Sequence, residues 1–266
     1  MPPTSPTPTS ATHTDPSLAT LDVRGPLATL SLNRPAQRNA LSLDLIAALR
    51  GRVQELAALG GAADGPRVVV LTGVGKSFCA GMDLKAVLGD AEAPAKLLGT
   101  LAELTLEIRA LPMVVLARVN GAAIGGGCGL TCVCDMSLTH DGAKVGFPEV
   151  DLSVCPAVVA PWVVRKVGAG RARQILLRGG LMRGSEAAAL GLMDRSLATL
   201  DALDAAVDEL ATRIAGGGRR ALSETKRLLN ALDGSDDAEV VRTGAAISAE
   251  VVASEEAQAA LRALYG

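Results

Sequence analysis

The sequence predicts an α/β fold in which strand, strand and helix recur, followed by a helical C-terminal module. Three observations support this prediction. Residues 20–140 repeat a strand–strand–helix rhythm, although no repeat of fixed length is present. Two continuous apolar runs, 67–72 and 114–119, are typical of strands covered on both faces. From residue 200 onward the pattern is helical. Strands first and helices last indicate one α/β domain with an added helical module.

The N-terminal elements follow from local patterns. Residues 1 to about 17 are rich in Pro, Thr and Ser, so we expect a disordered tail. Residues 21–32 alternate with period two around a Gly-Pro turn, which predicts two short strands. Ser42 is a suitable N-cap for a helix to about residue 58, because four apolar side chains share one face: Leu45, Ile46, Leu49 and Val53. Residues 67–72 form the next strand.

The remaining elements are predicted in the same way. Residues 85–96 have mixed composition, which indicates a mobile segment, and a helix over about 97–110 ends before Pro112. The strand at 114–119 enters a glycine-rich stretch, and a helix follows at about 127–134. Short strands are expected at 135–138 and 144–147. The later helices are expected at 157–167, 170–178, 185–189, 200–215, 219–232 and 238–264.

Composition excludes several classes of protein. The net charge of -2 offers no bulk attraction to nucleic acid or to an anionic membrane. No apolar run reaches membrane-spanning length, because Arg118 and Asn120 interrupt the longest one. The five cysteines lie in apolar contexts and only two histidines are present, so buried thiols in a reducing cytosol are favoured over zinc sites or disulfides. The N-terminus lacks an apolar signal core, which predicts a cytoplasmic protein.

Residues 120–129, N-G-A-A-I-G-G-G-C-G, are the segment around which the chain is organised. Three consecutive glycines between a strand and a helix indicate a backbone that approaches another group closely. A helix that begins there points free N–H groups and the positive end of its dipole at that group. The alternative is that the glycines only permit close helix–strand packing.

Three segments in order carry a family resemblance. They are L-N-R-P at 32–35 with N-A-L at 39–41, V-L-T-G at 70–73 with F-C-A-G-M-D-L-K at 78–85, and the glycine stretch at 120–129. Together they resemble the crotonase superfamily, also called the enoyl-CoA hydratase/isomerase family, from about residue 20 to the end. The resemblance implies a spiral of repeated ββα units over 18–195 and a helical trimerisation module over 196–266.

The resemblance also implies a chemistry and two groups that support it. The family's substrate is an acyl-CoA thioester whose carbonyl oxygen develops enolate charge, and two backbone N–H groups hold that oxygen. By position these are the N–H groups of Met82 and Gly126. Preorganised backbone donors suit this task because they lose no side-chain entropy and do not titrate.

The resemblance further implies a coenzyme A site. Ala80 and Leu84 match positions that line the adenine pocket, and Ala40 follows the candidate phosphate partner Arg38. A solvated arginine is the alternative for Arg38. Asp83, in the same segment, resembles a residue that orders the loop. No metal or redox cofactor is implied, because coenzyme A is part of the thioester substrate.

The catalytic acids depart from the two-acid pattern. A hydratase of this family usually presents two glutamates, of which one activates water while the other supplies the α-proton. The first would stand at Gly129, which has no side chain, whereas the second is retained as Glu149 in F-P-E. The alternative for Glu149 is a surface acid after a proline turn. Asp151 is either a second acid, if the loop curls back, or a solvated charge. Cys155 either lines the pocket or is a buried spectator thiol.

A single glutamate leaves three functions open. The first is an enoyl-CoA hydratase, because the run at 149–157 resembles hydratases that act on branched or glutaconyl-type CoA esters. The second is a double-bond isomerase that uses the same Glu149. The third is a family member that binds acyl-CoA without catalysis.

The resemblance also implies a homotrimer or a dimer of trimers, in which C-terminal helices pack on a neighbour.

Overall fold

The computed structural model describes residues 15–90 and 92–265. Its strands are β1 (Ala19–Arg24), β2 (Leu27–Leu32), β3 (Val68–Gly73), β4 (Ser77–Cys79), β5 (Val114–Val119), β6 (Ala122–Ile124), β7 (Met136–His140), β8 (Lys144–Gly146), β9 (Leu181–Arg183) and β10 (Arg195–Leu197). Its helices are α1 (Leu43–Gly60), α2 (Ala93–Ala110), α3 (Gly126–Val133), α4 (Ala160–Arg178), α5 (Gly184–Ala189), α6 (Leu200–Ala215), α7 (Arg219–Leu232), α8 (Ala238–Ala253) and α9 (Glu255–Tyr265).

The strands form two sheets, and the predicted α/β class and ββα rhythm are confirmed. A six-stranded sheet has the order β1-β2-β3-β5-β7-β10, and a four-stranded sheet has the order β4-β6-β8-β9. All neighbours pair in parallel except β1 with β2 and β8 with β9. Each of the units β3-β4-α2, β5-β6-α3 and β7-β8-α4 therefore places one strand in each sheet before its helix. This alternation brings the ends of β4, β6 and β8 together.

Most element predictions are confirmed, and three need correction. Ser42 caps α1 by accepting the N–H of Leu45. However, α2 begins at Ala93, with Pro94 in its first turn, and Leu84–Val87 form a 3-10 turn where we expected a mobile segment. The predicted helices at 157–167 and 170–178 are confirmed as the two parts of α4, because Gly168 between them has a non-helical backbone, φ 78° and ψ 157°. The predicted helix at 238–264 is two helices, because Ser254 has an extended backbone, φ -65° and ψ 152°.

The predicted tail at 1–17 falls mostly on residues 1–14, which lie outside the described residues. The third correction concerns the end of this tail: Pro16–Leu18 form a 3-10 turn, and Asp15 accepts the N–H of Ser17. The side-chain amide of Asn33 donates to the carbonyl of Ser17, which ties this turn to the end of β2. The folded part therefore begins slightly earlier than the sequence predicts.

The C-terminal helices complete the core. Helix α6 packs on the six-stranded sheet, where Ala211 and Ala215 meet Val68 and Leu116. Helix α8 contributes to the main core against α2.

All five cysteines are free thiols, four of them buried. Within the described residues, no helix combines the length and apolar character that a membrane crossing requires.

Candidate active site

The glycine stretch is anchored by the side chain of Asn120. Strand β5 delivers this buried amide, which donates to the carbonyls of Gly73 and Gly75, both at 2.9 Å. Gly125 has φ +52°, a conformation that favours glycine, and α3 begins directly after it. The first N–H groups of a helix have no acceptor within the helix. The N–H of Gly126 is therefore available to a ligand.

The segment after β4 lies against the start of α3. Leu41 N donates to Gly81 O at 2.8 Å, and Asp83 N donates to Leu41 O at 3.0 Å. Met82 lies between these two bonds, and its N–H has no backbone acceptor among the described residues. A Cβ atom added to Gly126 would lie 3.2 Å from Met82 Cγ, so the two residues are in contact. The structure thus places Met82 and Gly126, the two residues that the sequence singled out, next to each other.

An apolar cavity of about 330 Å³, partly open to solvent, lies beside these residues. Met82, Gly125 and Gly126 form part of its wall. The rest comes from the 3-10 turn after β4, from α2, from the segment before α4, and from α8 and α9: Leu84, Val87, Pro94, Leu98, Val154, Cys155, Pro156, Val158, Val252 and Tyr265. A cavity of this size suits a small ligand rather than a macromolecule.

Glu149 projects its carboxyl group into this cavity. The residue opens the 3-10 turn Glu149–Leu152, which Pro148 precedes and which follows β8. A Cβ atom on Gly125 would lie 2.7 Å from Glu149 Oε1, so the carboxyl group lies against the glycine backbone. Glu149 Oε2 is buried and has no hydrogen-bond partner among the described residues. Burial raises the pKa of Glu149 to about 7, since an apolar surrounding disfavours the charged form.

The position of the missing acid, Gly129, is closed by a valine. Gly129 is buried in α3, and a Cβ atom added to it would lie 2.3 Å from Val159 Cγ1 and 2.9 Å from Val159 Cβ. Val159 is 1% exposed and belongs to the main core. A larger side chain at position 129 therefore requires Val159 to move. No gap is left where a second acid would stand.

A second, open groove of about 860 Å³ adjoins the cavity. The two share Ala80, Met82, Leu84 and Tyr265. The groove also contains the other residues that the sequence assigned to coenzyme A: Arg38, Ala40 and Asp83. A narrow apolar cavity that continues into a wider, more polar groove suits a ligand with an apolar end and a long polar carrier.

Comparison with known proteins identifies the family. The model of the enoyl-CoA hydratase/isomerase family matches residues 23–264. The chain belongs to this family.

Individual relatives are similar to this protein over most of its chain. A Thermus thermophilus protein named "Putative enoyl-CoA hydratase" is 35% identical over 247 residues, which cover 91% of this chain and 95% of the relative. A crotonyl-CoA hydratase of Syntrophomonas wolfei is 33% identical over 77% of this chain and 78% of its own. The crystal structure of an enoyl-CoA hydratase from Mycobacterium avium has a TM-score of 0.82 at 28% identity, covering 94% of this chain and 96% of its own.

The sequence left the roles of Asp151 and Cys155 open, and only Cys155 lines the cavity. Asp151 is exposed, does not line the cavity, and accepts the N–H of Gly180 at 2.8 Å, which ties the Glu149 turn to the start of β9. It therefore does not curl back as a second acid. Cys155 is half-buried and lines the cavity, and its carbonyl accepts the hydroxyl of Ser248 in α8.

Two residues of the family segments have roles that the sequence did not reveal, and the first is Asn39. It is fully buried, and its amide nitrogen donates to the carbonyls of Val74, Ser77 and Phe78. Its oxygen accepts the N–H of Arg34 at 2.8 Å. Its neighbours Gln37 and Arg38 are also polar, so no local pattern marked this role.

The second of these residues is Arg34. Its guanidinium donates to Asp83 Oδ2 at 2.8 Å and to the carbonyl of Ala40 at 3.1 Å. This ion pair is the contact that a loop-ordering role for Asp83 requires. Together, Asn39 and Arg34 hold the segment that carries Met82 against the segment that carries Arg38.

Proposed function

We propose that this enzyme is an enoyl-CoA hydratase that uses one carboxylate, Glu149. The observation that carries the proposal is the environment of this group. Glu149 is the one carboxylate that lines the cavity among the described residues, one of its oxygens is unpartnered, and its pKa is raised to about 7. A group with this pKa accepts and returns a proton at neutral pH with little driving force in either direction.

In the proposed reaction the Glu149 carboxylate accepts a proton from water as the water oxygen bonds to the β-carbon of the enoyl group. The electrons of the double bond move toward the thioester, whose oxygen becomes an enolate. The N–H groups of Met82 and Gly126 hold that oxygen, and each such donor contributes about 100- to 1000-fold in rate. Glu149 then returns the proton to the α-carbon. The net change is the addition of one water molecule.

Isomerisation is the second candidate, and the Gly129–Val159 contact favours it. Moving a double bond from the 3- to the 2-position requires one base that takes a proton from the α-carbon and delivers it to the γ-carbon. A site in which valine fills the place of a second acid is sufficient for this reaction. A family member that only binds acyl-CoA is the third candidate.

The test compares crotonyl-CoA, 3-methylglutaconyl-CoA and a 3-enoyl-CoA in wild type and two variants. Loss of the enoyl absorbance with formation of the 3-hydroxy ester supports the hydratase. Glu149→Gln should lower kcat by at least about 100-fold. Asp151→Asn is the matched control: it removes a carboxylate two residues away that lies outside the cavity, and it should retain most activity.

The alternatives predict other results. Conversion of the 3-enoyl to the 2-enoyl ester without hydration identifies an isomerase. Binding of the CoA esters without turnover of any of them identifies a binding protein. For the hydratase, kcat/KM should rise with pH and level off above about pH 7, because the first step requires the Glu149 carboxylate.

We also propose that the chain assembles as a trimer or a dimer of trimers. Helix α7 supports this, because Lys226 lies on its buried face while Leu228, Leu229 and Leu232 are exposed. An exposed leucine face is typical of a surface that a partner covers. Light scattering tests the proposal: a mass near that of one 27.0 kDa chain would contradict it.

A further inference from the structure

We infer that Asn120 is a positioning residue for the reaction: it fixes the register between the backbone segment that carries Met82 and the segment that carries Gly126. The inference rests on the proposed function, in which the N–H groups of these two residues hold the thioester oxygen. It arises from the close backbone contacts between the two segments and from the hydrogen bonds of one buried amide.

The two segments, residues 76–82 and 121–127, lie against each other at glycines. At each contact a Cβ atom on the glycine would collide with a carbonyl oxygen of the other segment: Gly121 with Lys76 at 2.1 Å, Gly127 with Cys79 at 2.5 Å and Gly81 with Ile124 at 2.9 Å. Glycine permits this approach, but it supplies no side chain that would oppose sliding of one segment along the other.

Strand pairing between the two segments is short and irregular. Ser77 pairs with Ala122 and Cys79 with Ala123, and the register shifts between these two pairs. The register of a strand is weakly specified where the strand is rich in glycine. The pairing of β4 with β6 therefore holds the two segments only weakly against displacement.

Asn120 links the two segments at the point where both begin. It is 6% exposed, and its amide nitrogen donates to the carbonyls of Gly73 and Gly75 at 2.9 Å each. Its oxygen accepts the N–H of Gly73 at 3.3 Å. Both amide hydrogens thus have an acceptor, and the oxygen has a donor. One side chain ties the residue before the Gly126 segment to the turn before the Met82 segment.

Thr72 supports Asn120 from β3. Its hydroxyl oxygen lies 3.3 Å from Asn120 Oδ1 and 3.0 Å from the carbonyl oxygen of Arg118, which share its single hydrogen. The guanidinium of Arg118 donates to the same hydroxyl at 3.2 Å and to Asp204 in α6. Replacing Thr72 therefore perturbs the link without changing Asn120 itself.

Release of this link should slow the reaction without weakening the binding of the ester. Donors to an enolate oxygen are effective at about 2.7–3.1 Å from that oxygen, and a misplacement of about 1 Å costs on the order of 100-fold in rate. We expect Asn120→Ala to lower kcat for crotonyl-CoA by about 10- to 100-fold. KM should change by less than about threefold, because Asn120 lines neither the cavity nor the groove.

Infrared difference spectra of bound butyryl-CoA, labelled at the thioester carbonyl, separate positioning from stability. This saturated ester has no double bond to hydrate, and hydrogen bonds to its carbonyl lower the C=O stretching frequency. The frequency should fall on binding to wild type and should fall less on binding to Asn120→Ala. Thr105→Val is the matched control. It removes a buried hydrogen bond from the Trp162 indole, outside the cavity and the groove, so it should lower stability but change neither kcat nor the frequency.

Asn120→Ala that folds and keeps either the wild-type kcat or the wild-type frequency would overturn the inference. If this variant does not fold, Thr72→Val and Thr72→Ser decide. The valine should reduce both kcat and the frequency shift, whereas the serine keeps the hydroxyl and should retain both. Equal behaviour of the valine and serine variants would overturn the inference. A wild-type protein that lowers the frequency of butyryl-CoA but hydrates no enoyl ester would overturn the hydratase and leave the role of Asn120 intact.

Discussion

Replacing Glu149 by Gln should stabilise the fold at high pH while it removes activity. The pKa of Glu149 is raised from 4.5 to about 7, and its first cause is burial. The folded protein therefore holds the proton more tightly than the unfolded chain does. A difference of about 2.5 pKa units corresponds to about 3 kcal/mol at 1.36 kcal/mol per unit. This is the free energy that ionisation of Glu149 costs the folded state.

The sign follows from proton linkage. Below pH 4.5 the carboxyl group is protonated in both states, so its ionisation costs nothing. Between pH 4.5 and about 7 the unfolded chain loses the proton first, and the free energy of unfolding falls by about 1.4 kcal/mol per pH unit. Above about pH 7 the full cost is present. The amide introduced by Glu149→Gln does not titrate, so the advantage of the variant should grow over this window by about 3 kcal/mol.

The assay is urea unfolding of wild type and Glu149→Gln at several pH values from about 4.5 to 8.5. The test is how the stability difference between the two proteins changes with pH, because the new amide also changes the free energy of unfolding by an amount that does not depend on pH. Burial also raises the pKa of Cys128, so that neighbouring thiol does not titrate in this range. A stability difference between wild type and Glu149→Gln that is independent of pH would refute the burial of this carboxyl group.

Three further predictions concern the surroundings of the site. Gly129→Ala should lower the free energy of unfolding, and adding Val159→Ala should reduce this loss by about 1 kcal/mol or more, because it makes room for the new methyl group. Urea unfolding of the two single variants and the double variant measures this coupling. Additive effects would contradict the 2.3 Å overlap. Asn39→Ala should cost about 3 kcal/mol, because it removes a buried amide whose two N–H hydrogens are shared among the carbonyls of Val74, Ser77 and Phe78. A cost below about 1 kcal/mol would contradict the network. Arg38→Asn should raise KM for CoA esters by about tenfold, because it removes the candidate partner of a CoA phosphate. Asparagine tolerates the φ of +51° at this position. The KM for N-acetylcysteamine thioesters, which carry no phosphate, should not change, and equal effects on both kinds of thioester would exclude a phosphate contact.

Much of the fold and the position of the site could be predicted from sequence because their signals are local. The N-cap at Ser42, the strand at Val114–Val119 and the glycine run each depend on neighbouring residues. Strands of three residues, such as β4 and β6, are too short to show a period, so no pattern predicts them. The break at Ser254 has no proline or glycine to mark it.

The interactions that hold the site together could not be predicted in the same way. Asn39 donates to residues 35 to 39 positions later in the chain, and Gly129 meets Val159 across 30 positions. No periodic pattern connects such pairs. The sequence did predict that Gly129 lacks an acid, but it could not predict that a valine fills the space, since that depends on how α3 packs against the segment before α4.

Tight packing closes the position of Gly129 against Val159, and burial raises the pKa of Glu149. With two carboxylates in one site, each would influence the pKa of the other, and polar contacts or water would be needed for both. Here the first cause of the shift is burial, and no second carboxylate lines the cavity among the described residues. The same burial that brings the pKa of Glu149 to about 7 also costs the fold about 3 kcal/mol once the group ionises. A substitution that admits water beside Glu149 should therefore stabilise the ionised fold while making the carboxylate a weaker base.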